Sequence, residues 1–204
     1  MKRIIALMLT FVMLLSFAAC GNKEGKGEET TDGVTTDAVT DAPAVAVSPL
    51  EALNKVWATF ADDEKFAAAG GDANNMSMDG PGKFAVEGEE AVLSLDSMLG
   101  FPQALVSQID DAASLMHMMN ANTFTCGAYH FKNAADATAA VETIKSNILA
   151  RQWMCGFPET LIIVDLGGGT VLSAFGNGQI IELFKTKTLG AIEGSKVVVE
   201  SPIE

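Results

Sequence analysis

Two stretches decide the fold: residues 112–131, AASLMHMMNANTFTCGAYHF, and residues 161–175, LIIVDLGGGTVLSAF. In the first, strand-like runs at 112–119 and 123–131 flank Asn120-Ala121-Asn122, a turn composition, because Asn side chains bond their own backbone and tolerate the left-handed region. In the second, Leu161–Leu166 and Val171–Phe175 flank Gly167-Gly168-Gly169, so each stretch predicts a hairpin. Between them Asn133 is placed to cap a helix, with Asp136 three positions on. Ala137, Val141, Ile144 and Ile148 line one face of that helix until Gly156 and Pro158 stop it. A second helix is expected at 179–189 and an edge strand at 197–199. The order β-β-α-β-β-α predicts an α+β domain: an antiparallel sheet with helices on one face.

Upstream, Ser48-Pro49-Leu50-Glu51 offers an N-cap, a proline at the first helical position and an acid in the first turn. Leu50, Leu53, Val56, Trp57 and Phe60 then repeat at helical spacing, which predicts a helix over 49–60. Residues 70–82 read as a polar, glycine-rich loop, 83–86 and 91–95 as short strands, and 99–109 as a short helix. About 156 residues follow Ser48, enough for one domain that buries roughly 68–70% of its unfolded surface. A single globular domain over 49–204 is expected.

The start of the chain has a different character. Lys2 and Arg3 precede an apolar run, Ile4 to Phe17, that is shorter than the roughly 20 residues a permanent membrane span needs. It reads as the core of an export signal over 1–19. The run ends in Phe17-Ala18-Ala19-Cys20-Gly21, which resembles the lipobox of bacterial lipoproteins, with Phe17 where that motif usually has Leu. The resemblance implies that Cys20 is lipid-modified after cleavage and holds the protein on the extracytoplasmic face of the cell membrane. Residues 20–48 then form an acidic tether without an aromatic residue. Such a segment cannot bury enough apolar surface to offset its ordering entropy, so it is expected to be disordered.

Charge excludes some partners. The chain has 13 Lys and Arg against 26 Asp and Glu; loss of residues 1–19 removes Lys2 and Arg3 and no acid, leaving 11 against 26. At that balance nucleic acid and anionic lipid head groups are repelled. With Cys20 acylated, Cys126 and Cys155 remain. Six strand residues after Cys126 advance about 20 Å, whereas a helix from 134 to 155 returns about 32 Å. That mismatch favours two buried thiols over a disulfide.

From about Ser114 to Leu189 the chain resembles the C-terminal part of a family of clostridial lipoproteins defined by a domain of unknown function. The resemblance lies in Met118-Met119-Asn120, the strand end Tyr129-His130-Phe131-Lys132-Asn133, the helix end Arg151-Gln152, Pro158, the hairpin, and a terminal helix around Ile180 to Phe184. It departs from the family pattern at Gly167-Gly168-Gly169. The resemblance implies fold and location, with no catalytic residues.

No candidate for chemistry survives its own geometry. Asp165-Leu166-Gly167-Gly168-Gly169-Thr170 resembles the phosphate-binding hairpin of the actin and heat-shock ATPases, but only about 35 residues follow Thr170, too few for the second lobe that fold requires. The glycines then serve a tight turn. His117 and His130, the only histidines, fall about 20 Å apart along the predicted sheet and cannot share a metal. Asp72, Asn74, Ser77 and Asp79 suggest a calcium loop, yet Ser77 stands where its glycine belongs and the closing glutamate is missing, which leaves a solvated loop. No Gly-x-Ser-x-Gly elbow supports serine hydrolysis. Met116, Met118 and Met119 could line a pliable binding surface, although alternating Met in a strand more often faces a core. The expectation is a lipid-anchored binding module without cofactor or metal, engaging an unknown protein or small ligand, rather than an enzyme. The alternative is a structural or accessory subunit of an envelope or transport complex.

Overall fold

The computed structural model describes residues 47–154 and 156–204. The expected leader, Cys20, most of the 20–48 tether, and Cys155 lie outside the described residues. Helix α1 (Pro49–Trp57) begins as its sequence dictates: the Glu51 N–H donates to Ser48 Oγ at 3.3 Å and Pro49 fills a position whose N–H would have no helical partner. Short strands β1 (Ala68–Gly70), β2 (Ser77–Met78) and β3 (Gly82–Phe84) follow, then α2 (Glu89–Leu99) and a 3-10 helix at Gln103–Gln108. The regular half comprises β4 (Ile109–His117), β5 (Phe124–Phe131), α3 (Ala134–Leu149), β6 (Thr160–Gly167), β7 (Thr170–Gly176), α4 (Gly178–Ala191) and β8 (Lys196–Pro202). These elements belong to one compact unit.

The strands form one eight-stranded antiparallel sheet in the order β2-β1-β4-β5-β7-β6-β8. On the edge of β4 away from β5, β1 pairs with Met116 and His117 while β3 pairs with 112–114. The domain is therefore α+β with an antiparallel sheet, as expected, but its helices cover both faces instead of one. Connectivity gives the reason. Strand β5 is parallel to β6 with β7 between them, and β7 is parallel to β8 with β6 between them. Both crossovers travel the same way across the sheet between strands that point opposite ways, so a common right hand places their helices on opposite faces. Accordingly α1 and α4 pack on Leu115, Cys126, Ile162 and Val164, whereas α2 and α3 pack on Tyr129, Phe131, Ile163 and Phe175. Leu161-Ile162-Ile163-Val164 has no exposed surface on either side, and each of these side chains contributes about 1.5–3 kcal/mol by burial.

Other expectations shift. Residues 91–95 are helical, not a strand, because Ala91, Leu95 and Leu99 recur every fourth residue toward the core and Glu89 and Glu90 favour the positive helix start. A Schellman closure ends α2, with Phe101 N–H reaching Leu95 O at 3.1 Å and Gly100 N–H reaching Asp96 O at 2.9 Å. The helix expected over 99–109 shrinks to the 3-10 turn, and the loop over 70–82 contributes β2. Helix α3 stops at Leu149 instead of running to 155, since Arg151 leaves the helix to hold α2. The overshoot argument against a disulfide thus used too long a helix. Cys126 is nonetheless free and fully buried, and burial pushes its thiol pKa well up, which makes it unreactive.

Candidate functional site

One cross-strand row on the α2/α3 face is the floor of a groove of about 550 Å³. Register defines it: Met78 pairs with Ala69, Ala69 with Met116, Met116 with Thr125, and Thr125 with Phe175. Met118 follows Met116 by two residues and its N–H donates to Ala67 O at 2.8 Å, so the ladder continues and Met118 shares the face of Met116. Met76 precedes Met78 by two, and Met98 comes from the last turn of α2. Met76, Met78, Met98, Met118 and Met119 are 36–79% exposed, which puts their thioethers within reach of an incoming group.

The rim is fixed by hydrogen bonds. His117 Nδ1 accepts from the N–H groups of Met119 (3.2 Å) and Asn120 (3.3 Å), which places the ring proton on Nε2, and the ring stacks on Phe66 with centroids 5.5 Å apart. Asn122 Nδ2 donates to Met154 O (2.7 Å) and Gly156 O (3.0 Å), and Thr125 Oγ1 donates to Ala121 O (2.9 Å). The two Asn122 bonds tie the β4–β5 turn to the segment after α3, and the Thr125 bond closes the turn itself. At the other end of the floor, Arg151 Nη1 and Nη2 donate to Asp96 O (2.6 Å) and Ser97 O (2.7 Å), and the guanidinium lies over the rings of Trp153 and Phe175. Burial lowers its pKa against the opposing pull of Asp96 and Tyr129. Among the described residues Arg151 forms no ion pair.

Beneath the groove, the phenol of Tyr129 lies against Gly127 and beside Ser173 Oγ. Burial pushes the Tyr129 pKa far up, while the neighbouring Ser173 oxygen draws it down. The contact between the two hydroxyls falls short of hydrogen-bond geometry, so both are buried without a full partner. Phe101 packs on Tyr129 at 4.2 Å, which links this spot to α2 and so to Met98.

The other candidates are structural. His130 lies opposite Asp111, as the turn at 120–122 required, and its Nδ1 is 2.6 Å from Asp110 Oδ1. Among the described residues no cluster of His, Cys, Asp and Glu could hold a metal. Asp72 corrects the solvated-loop expectation. It is buried and accepts from Asn74 N–H, Asn75 N–H, Asn75 Nδ2 and Ala85 N–H, so it ties the loop to the end of β3. Burial raises its pKa, but these hydrogen bonds outweigh burial and the net shift is down. In the triglycine turn Gly167, Gly168 and Gly169 all have positive φ, at 81°, 60° and 86°. Asp165 accepts from Gly167 N–H at 2.9 Å and stands 3.5 Å from Lys196 Nζ.

The sequence singled out Met116, Met118 and Met119 but missed Met76, Met78, Met98 and Arg151. A usable signal was present: outside residues 1–19 the chain has seven methionines, all between 76 and 154. Six of them line the groove. No family model, curated protein or solved structure matches the chain, so the groove is argued from its own chemistry.

Proposed function

We propose that the chain is a lipid-anchored, extracytoplasmic binding module whose recognition surface is the methionine-lined groove. The gathering of six of the seven downstream methionines on one open surface carries this reading. Thioether side chains are unbranched and polarizable, so they adapt to an occupant. A contiguous exposed apolar patch is a liability on an exported protein unless something covers it. The volume lies within the range of about 300–1,000 Å³ common for ligand sites. Among the described residues the groove is lined by no carboxylate, cysteine or lysine, so this lining supplies contact surface rather than paired acid–base groups. The anchor reading draws on Phe17-Ala18-Ala19-Cys20. In this reading the acyl chain on Cys20 supplies the attachment, and among the described residues no helix is long and apolar enough to cross a membrane.

Titration of the exported chain with anilinonaphthalene sulfonate, an apolar dye with one anionic group, tests the groove. Saturable fluorescence enhancement is expected, weakened at least tenfold by Met98→Glu and unchanged by Leu93→Glu on the exposed side of the same helix. Equal dye binding by both variants, with unchanged circular dichroism, would overturn the proposal.

A further inference from the structure

We infer that the occupant of the thioether half of this groove is a soft monovalent metal ion of the copper(I) class, held mainly by Met78, Met116 and Met98. The inference rests on the groove reading and adds the ligand class. Met78 and Met116 lie level on one face with only the methyl group of Ala69 between them. Adjacent strands are about 4.8 Å apart, so the two Cα atoms are separated by about 10 Å, and two unbranched side chains can bring their sulfurs together above the alanine. Met98 lines the same groove from the end of α2, and Met118, about 7 Å along β4 from Met116, offers a fourth sulfur.

The donor set selects the metal. Thioethers are soft and neutral, and they favour copper(I) over zinc, calcium or magnesium, which prefer thiolate, imidazole or carboxylate ligands. Among the described residues the groove lining has no carboxylate or cysteine, and His117 uses Nδ1 to hold two backbone amides while its ring stacks on Phe66. Arg151 stands over Phe175, two strands beyond Met116, with its guanidinium occupied by the Asp96 and Ser97 carbonyls at the end of α2. The surplus of acidic residues over the whole chain draws cations toward it.

A thioether site has no proton to lose, and this separates it from every thiolate, imidazole or carboxylate site. Silver(I) serves as the probe because it shares this ligand preference and is not oxidised in air. The full exported chain, labelled at the methionine methyl groups, is titrated with silver(I) alone. The methyl signals of Met78, Met98 and Met116 are expected to shift together, with an affinity that is flat between pH 5 and 8. The double variant Met78→Leu, Met116→Leu keeps volume and removes sulfur, so silver affinity should fall at least 100-fold while dye binding persists. Cys155→Ser should bind silver like the parent chain. Undiminished silver binding in the Leu variant, loss on Cys155→Ser, or an affinity falling steeply below pH 6 would each overturn the metal assignment. Dye binding retained by a parent chain that takes up no silver overturns the metal and leaves the groove reading; absence of both overturns the two together.

Discussion

Gly127→Ala should be among the most damaging single changes in the domain, although it adds one methyl group. Gly127 lies mid-strand in β5 between Ser114 and Ser173, on the face that carries Tyr129 two residues on. The Tyr129 ring folds back over the glycine, so an added Cβ would overlap the phenol oxygen and stand 2.5 Å from Cζ. Backbone relief is blocked, because β5 is hydrogen-bonded on both edges. The ring must therefore leave its place against Phe101, and both side chains are fully buried. Overpacking of a tight core costs about 1–3 kcal/mol, and partial loss of a buried aromatic contact extends this toward 3–5. A loss of about 3 kcal/mol is expected, a large share of a total near 5–15. Urea unfolding followed by tryptophan fluorescence measures it. Tyr129→Phe alone should be close to neutral, since it deletes a buried hydroxyl that lacks a full partner. In the Gly127→Ala background it should recover part of the loss by removing the nearest atom. A Gly127→Ala protein within 0.5 kcal/mol of the parent, or no recovery in the double variant, would refute the argument.

Three further outcomes are expected. Cys20→Ala should move the protein from the membrane fraction to the soluble fraction; protein that stays membrane-bound after a salt wash contradicts acylation as the anchor. Asp72→Asn should cost about 1–3 kcal/mol at pH 7, because an amide cannot accept all the N–H groups that the carboxylate satisfies. The Asp72 pKa is lowered by folding, so its contribution is fully present above about pH 4 and is lost as pH falls through the folded value; unfolding midpoints should converge for parent and variant in acid, and parallel curves would contradict the assignment. Gly168→Val, at φ +60°, should destabilise by about 1–3 kcal/mol, whereas Asp165→Asn should change stability little and neither protein should bind ATP with magnesium; micromolar nucleotide binding lost in Asp165→Asn would overturn the turn reading.

The sheet was legible wherever the information was local. The Asn120-Ala121-Asn122 turn sets the β4–β5 register, and the observed pairing of His130 with Asp111 follows from counting outward from it. Caps at Ser48 and Asn133 are local in the same sense, and each side chain accepts from the backbone of the helix it opens. What failed was the number of covered faces. Leu161-Ile162-Ile163-Val164 carried the signal, because an unbroken apolar run marks a strand buried on both sides, while alternation marks one face in water. Residues 91–95 failed for the opposite reason. Val92 and Leu93 look strand-like over five residues, and the helical spacing of Ala91, Leu95 and Leu99 emerges only over nine.

The groove was less legible because its residues meet through long-range pairing. Met78 and Met116 become neighbours only when β1 inserts between β2 and β4, and no local pattern around a three-residue strand foretells that insertion. The strand pattern alone would have sent Met116 into a core, the usual fate of an alternating methionine. Chain economy points the other way. Among the described residues the two cores are filled mainly with Leu, Ile, Val, Phe and Ala, residues with well-defined packing shapes, and none of the fully buried side chains is a methionine. A sequence that, among the described residues, keeps methionine out of its fully buried positions and places exposed methionines around one groove is using the thioether for what the other apolar residues lack, an adaptable surface and a soft donor atom. The polar rim follows the same logic: His117, Asn122 and Arg151 spend their hydrogen bonds on backbone groups around the groove, which holds its edges in place while the methionine side chains remain free to move.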